Sequence, residues 1–148
     1  MESIDYAALY NEIAELLKTA ETVVLATSAD GKVTARTLNP LCDRTTIYFG
    51  TNRTSTKCAQ IIKNPQVALV VEGMQIEARA ELCGNPADDP EYSALYAAKY
   101  PELVGVYPPN EDDVVVKCVP TKIALFKYID GAAWDVLLPD EKRAYRET

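Results

Sequence analysis

Apolar residues at Tyr6, Leu9, Tyr10, Ile13, Leu16 and Leu17 recur at intervals of three and four, while Glu12, Glu15 and Lys18 fall between them. That period lays one apolar stripe along a helix and predicts an amphipathic helix near the start of the chain. After it the pattern changes. Thr22 to Ser28 (TVVLATS) and Lys32 to Asn39 (KVTARTLN) are rich in β-branched residues and flank Asp30-Gly31, a favoured hairpin pair. Thr45 to Thr51 predicts a third strand, and Gln66 to Glu72 with Met74 to Leu82 predict two more, joined tightly at Gly73. Between them, TSTKCAQIIKN reads as a helix that stops at Asn64-Pro65, because proline disfavours helix in the residue before it. Val114 to Val119, Lys122 to Ile129 and Trp134 to Leu138 supply further strand material. Many short strands with few helices predict a mainly β (α+β) antiparallel fold that closes as a small barrel.

The stretch from Gly84 to Asp113 is of a different kind. It reads as helical around Glu91 to Tyr100, is then broken by prolines, and carries Tyr92, Tyr96, Tyr100 and Tyr107. Seven acidic residues against one basic residue, Lys99, give it a local charge of −6.

Composition narrows the chemistry. With 148 residues, 48 % of them hydrophobic, residues 1–148 are expected to form a single domain with a core of its own. A formal charge of −7 repels a phosphate backbone, so no nucleic-acid partner is expected. The acidic opening MESIDYAALYNE lacks the apolar centre of a signal peptide, no run approaches a membrane span, and a cytoplasmic location is expected. Cys42, Cys58, Cys83 and Cys118 form no CxxC pair, and buried free thiols are the expectation, with no metal site. There is no histidine. That removes the Ser/His/Asp and Cys/His arrangements and the HExxH zinc site. Neither GxGxxG nor GxxxxGK[ST] occurs. Chemistry, if there is any, is expected from a bound cofactor.

One segment could hold such a group. In FGTNRTSTKCAQIIKNP, Phe49 to Pro65, an apolar strand ends and Thr54, Ser55, Thr56 and Lys57 crowd the start of a helix. Free backbone N–H groups and the helix dipole stabilise an anion there, and hydroxyls with a lysine complete a phosphate cradle. Taken alone, the same residues also describe a capped helix with a solvated lysine.

Read in order, the pieces ARTLNPL with Arg36, IYFGTN with Thr51 and Asn52, STK with Ser55 and Lys57, KNPQVALVV, MQIEARAEL with Gln75, and VPTKIALFKY resemble the flavin-binding split barrels of the pyridoxamine 5'-phosphate oxidase family. The likeness covers about residues 20 to 83 and 114 to 138. It implies a six- to seven-stranded antiparallel split β-barrel with an N-terminal helix and peripheral helices. It also implies FMN as cofactor, its phosphate held by Arg36, Ser55 and Lys57, with Thr51, Asn52 and Thr56 beside them as further cofactor-binding candidates. By the same resemblance Thr37, Leu38 and Asn39 run along the flavin ring, Gln75 reaches it from a neighbouring strand, and Trp134 packs near it or in a subunit interface. Family members are homodimers with FMN between the subunits.

The chain departs from the true oxidases in having no histidine, Asn39 near the expected substrate lysine, Thr56 where arginine is common, and an acidic Gly84–Asp113 segment. Pyridoxamine phosphate is therefore not the expected substrate, since like charges at close range oppose binding. The implied function is an FMN-dependent oxidoreductase passing electrons from a reduced donor to a small organic acceptor. A nitroimidazole-reductase-like activity is one form of it. Alternatives are a flavin-binding or flavin-sensing protein without turnover, a split barrel without cofactor, and a deazaflavin-dependent reductase; a haem-degrading relative is disfavoured by the missing histidine. The tyrosine-rich segment reads either as a wall over the flavin or as a surface helix packed on the barrel.

Overall fold

A three-residue strand, β1 (Glu2–Ile4), leads into the first helix, α1 (Tyr6–Lys18), where the Asp5 carboxylate accepts from the Ala8 N–H and caps the first turn. The computed structural model describes residues 1–148. The apolar stripe turns inward as its period requires, with Leu9, Ile13 and Leu17 buried. Next come β2 (Val23–Ala29) and β3 (Lys32–Leu38), joined by Asp30-Gly31 with φ of 53° and 79°. Positive φ at both turn residues matches the right-handed twist of the two strands, which is why Asp-Gly suits the position. Then follow β4 (Leu41–Asp43), β5 (Thr46–Asn52), α2 (Thr56–Lys63), β6 (Gln66–Val71), β7 (Met74–Gly84), α3 (Pro90–Lys99), β8 (Asp113–Tyr128), β9 (Ala132–Leu138) and β10 (Arg143–Glu147).

All pairings are antiparallel, in the order β1-β10-β9-β8-β7-β6-β2-β3, with β5 on the first half of β8 and β4 on β5. This is the antiparallel split barrel with peripheral helices that the sequence implies, though its strand count is higher. β1, β4 and β10, of three, three and five residues, are too short to show a period. The two stretches read as separate strands around Pro120 are one strand, β8. The register with β7 jumps from Glu77↔Lys122 to Ala78↔Pro120, leaving Thr121 as a bulged residue whose hydroxyl donates to the Glu77 carbonyl. A bulge accommodates a proline that cannot donate to the ladder, so the strand continues past it.

Ile13 and Leu17 meet Leu25, Ile47, Leu69, Ile76, Ile123 and Leu137 in the main core. Truncating such a side chain to alanine costs about 2–5 kcal/mol. One polar hub is buried with them. Asp135, 1 % exposed, accepts from Arg146 at 2.7 and 3.0 Å and lies 3.0 Å from Lys127, which reaches Glu12 at 2.7 Å. The hub ties α1 to β8, β9 and β10. Hydrogen bonds from Arg146 hold the Asp135 carboxyl below its usual pKa. Burial alone would lower the Lys127 pKa, yet its two carboxylate partners raise it.

Candidate functional site

The site begins where β5 ends. Asn52 Oδ1 accepts from the Thr54 N–H at 2.9 Å and from the Thr54 hydroxyl, forming a side-chain-closed turn, and the Arg53 N–H donates to the Asp112 carbonyl at 2.7 Å. Ser55, rather than Thr54, is the N-cap of α2, its hydroxyl accepting from the Cys58 N–H at 3.4 Å. The N–H groups of Thr56 and Lys57 are therefore left without helical partners, and no acidic residue stands in the first turn to answer the dipole.

Alternation along β3 sends Thr34, Arg36 and Leu38 toward α2 and the core, and Val33, Ala35 and Thr37 to the opposite face. Arg36 donates to the Thr27 hydroxyl at 2.8 Å, the Thr34 hydroxyl at 2.5 Å and the Leu25 carbonyl at 3.3 Å. Thr27 and Thr34 in turn donate to Gln60 Oε1 on α2. The helix runs along the hairpin: Lys63 meets Asp30 at 2.9 Å, Asn64 meets Ser28 at 3.1 Å, and Gln60 lies against Thr27 and Thr34. One turn back along α2 is about 5 Å. Two residues along β3, from Thr34 to Arg36, is about 7 Å. On these rises Lys57 falls about level with Arg36 along the hairpin.

Arg36 is half-buried, and all its partners are neutral; no carboxylate lies within 4 Å. Burial lowers its pKa, without bringing an arginine near neutral pH. Lys57 is likewise half-buried and makes no ion pair. Charges withdrawn from water are normally paired. Two unpaired cations, two hydroxyls and a bare helix start form a donor set that fits a phosphate monoester. Thr27, Thr34 and Gln60, which aim the arginine, are not picked out by the sequence reading. The available signal is Gln60 itself, a polar residue between Cys58 and Ile61 on the buried face of α2.

The remaining candidates fall elsewhere. The register carries one row of residues across the outer face of the sheet: Thr37, Val24, Val70, Gln75 and Ala124. Val24, Val70 and the nearby Phe126 are 39 %, 51 % and 44 % exposed, and Trp134 sets its ring edge-on to Phe126 at 5.3 Å. Thr37, Gln75 and Trp134 thus share a face that is not the one bearing Arg36. Leu38 is half-buried against the core, Asn39 is exposed just after the edge strand β3, and Thr51 pairs with Val114. All four cysteines are free, but only Cys58 and Cys118 are buried; Cys42 is half-buried, its thiol pushed up to about 11 by burial, and Cys83, expected to be buried, is exposed on β7. No cluster of metal-binding side chains occurs, and no helix is long and apolar enough to cross a membrane. The tyrosine-rich segment forms α3, which packs Tyr92, Leu95, Tyr96 and Tyr100 on a small core of Leu41, Tyr48 and Val115.

A family model described as "Pyridoxamine 5'-phosphate oxidase" matches residues 9–127. No curated protein matches the sequence. Among solved structures, the chain is similar to General Stress Protein 26 from Bacillus anthracis (22 % identity, TM-score 0.65, covering 88 % of this chain and 98 % of that one). It is similar to a pyridoxamine 5'-phosphate oxidase-related, FMN binding protein from Nostoc punctiforme (14 %, 0.62, covering 95 % and 93 %). It is also similar to an F420 reductase (22 %, 0.59, covering 74 % and 93 %). At these identities the likeness is one of fold.

Proposed function

The chain belongs to the pyridoxamine 5'-phosphate oxidase family, and from that premise we propose that it is an FMN-dependent oxidoreductase passing electrons from a reduced donor to a small organic acceptor. The observation that carries this reading is the pair of half-buried cations, Arg36 and Lys57, left without carboxylates beside the open start of α2. The dianionic phosphate of FMN supplies the charge they lack. Ser55 and Thr56 add hydroxyls, and Asn52 fixes the turn that presents them, with Thr51 just before it. Thr37, Leu38 and Asn39 offer the free backbone edge of β3 to the ring, and Gln75 and Trp134 contribute from the outer face. A bound flavin supplies the hydride and electron chemistry, while the protein binds it, orients it and controls solvent access.

A homodimer with the flavin between subunits is part of this proposal, and exposed Val24 and Val70, paired on the outer face, with Phe126 farther along it, are apolar side chains that a partner subunit would cover. A cytoplasmic location is part of this proposal. Pyridoxamine phosphate is not the proposed substrate, because the segment from Gly84 to Asp113 is acidic.

The test begins with the visible spectrum of the purified protein and a titration of apoprotein with FMN, beside a Ser55→Ala, Lys57→Ala double variant and with the mass in solution recorded. Flavin bands, one FMN per subunit, loss in the variant and a dimer are expected. A colourless protein indifferent to FMN would overturn the reading. A deazaflavin is the second reading, favoured by the likeness to the F420 reductase; F420 binding in place of FMN would select it. Bound flavin that neither NADH nor NADPH reduces would point to a binding protein without turnover.

A further inference from the structure

On the other side of the Asn52 turn lies a cavity of about 510 Å³ between the ends of β5 and β8 and the segment from Pro86 to Pro109. Its floor is Gly50, Thr51 and Asn52, and three tyrosines, Tyr92, Tyr96 and Tyr107, line it. Tyr92 and Tyr96 stack at 6.4 Å with ring planes 29° apart. Gly50 is what admits Tyr92: a Cβ there would stand 2.7 Å from the Tyr92 hydroxyl. That hydroxyl takes no partner within the chain, and burial, then Tyr96, raises its pKa, so it remains a neutral donor.

The charges around this space have one sign. Asp113 is the only charged residue lining it, and one of its oxygens already accepts from the Asn110 N–H at 3.0 Å. The single cation of the segment, Lys99, is not among the lining residues. Its ammonium donates to the Ala20 and Pro40 carbonyls at 2.8 and 2.7 Å, on the side of α3 that faces the barrel. At the rim, Val104 and Tyr107 are 59 % and 74 % exposed. An anion entering here finds no counter-charge and meets a carboxylate. A flat apolar ring finds aromatic faces, and a positively charged one gains cation–π attraction as well.

We propose that this cavity is a binding site for a planar aromatic ligand that is neutral or positively charged, and that it rejects carboxylated and phosphorylated analogues. The binding itself needs no flavin. That the ligand is the electron acceptor rests on the flavin reading, since the cavity floor and the phosphate cradle share the Asn52 turn.

Three bicyclic probes of one shape and different charge test it: 1-methylquinolinium, quinoline and quinoline-4-carboxylate. Each is titrated by calorimetry into the purified protein at neutral pH and physiological salt, with and without saturating FMN. The quinolinium should bind about tenfold or more tighter than the carboxylate, the equivalent of about 1.4 kcal/mol, with quinoline between them. Tyr96→Ala should weaken the cation about tenfold, within the cation–π range. Ala97→Trp, which fills the space from a lining position, should do the same without removing a packed ring. Asp113→Asn should narrow the cation-to-anion ratio, whereas Asp140→Asn, an equal change in net charge away from the lining, should not. Equal binding of the carboxylate, indifference to Ala97→Trp, or the same response to both aspartate changes would overturn the proposal. Absence of binding by all three would do so too. The flavin spectrum reports separately, so failure here and failure of the cradle are distinguishable.

Discussion

The cradle at the start of α2 and the tyrosine cavity on α3 meet at Asn52, yet they answer charge in opposite ways. In the proposed cradle, Arg36 and Lys57 are held half out of water, Arg36 with only neutral partners and Lys57 without an ion pair. In the cavity, the one lysine of an acidic segment is already committed to two backbone carbonyls, and a carboxylate is left facing the space. The net charge of −7 would predict repulsion of anions at both places. What sets the sign of a site is which charges remain without partners. A half-buried charge without a partner acts at short range, where solvent screens it least.

The comparison can be broken most sharply with Thr56→Glu, which brings the acidic character of the cavity segment into the first turn of α2. A carboxylate about 4 Å from a phosphate costs about 4 kcal/mol near a protein surface, so FMN affinity, read by fluorescence titration, should fall on the order of 1,000-fold. The apoprotein should melt unchanged or slightly higher, because an acid at a helix start contributes about 0.3–1 kcal/mol. A large fall in melting temperature would show that the loss is one of folding.

Asp135→Asn serves as the contrasting case, since it damages the scaffold shared by both regions. Leaving Lys127 and Arg146 without their buried carboxylate should cost about 3 kcal/mol, a fall in melting temperature of roughly 6–12 °C for a domain of this size. Because the folded-state pKa of Asp135 is depressed, its contribution is present above the unfolded value of about 4 and is lost as pH falls through the folded value. The acid limb of a plot of melting temperature against pH should be shallower in the variant. Charge preference in both regions should survive; its loss would tie them to the hub.

Gly50→Ala drives a methyl against the Tyr92 hydroxyl and should cost about 1–3 kcal/mol by overpacking. In a Tyr92→Phe background most of that cost should vanish, whereas additive losses in the double-mutant cycle would place the strain elsewhere. FMN binding should change little in either case. The smallest effect is expected from Lys99→Met, which removes two hydrogen bonds anchoring α3 and should cost about 1 kcal/mol. Faster limited proteolysis between Gly84 and Asp113 would report it; an unchanged cleavage rate would show that the aromatic packing alone holds α3.

The capped start of α2 was legible in the sequence because it is local: Asn52, Ser55, Thr56 and Lys57 lie within six positions, and capping chemistry is written in consecutive residues, whereas Arg36 entered the proposed cradle through the resemblance. The hairpin turn at Asp30-Gly31 was legible for the same reason. The arginine's neighbours were not, since Thr27, Thr34 and Gln60 meet only after α2 docks on the hairpin. Nor was the cavity, which depends on Gly50 lying beneath Tyr92, 42 positions later. The pattern divides β8 into Val114 to Val119 and Lys122 to Ile129, whereas a bulge keeps the ladder intact around Pro120 and Thr121. The resemblance supplied the order of the pieces, and the packed structure shows that Thr37 and Gln75 lie on a different face of the sheet from Arg36.

β8 has a further property. One of its edges is shared, with β5 from Asp113 to Cys118 and with β9 from Ile123 to Tyr128, so residues 119 to 122 have no neighbour there and Pro120 has no N–H to protect. In hydrogen–deuterium exchange this gap would behave as a seam. Amides of β5 and its half of β8 would open together with the segment bearing both proposed sites, while the β9–β10 half, clamped by Asp135, would stay closed. Breathing of the barrel would then uncover the half that carries the two proposed sites and leave the clamp intact.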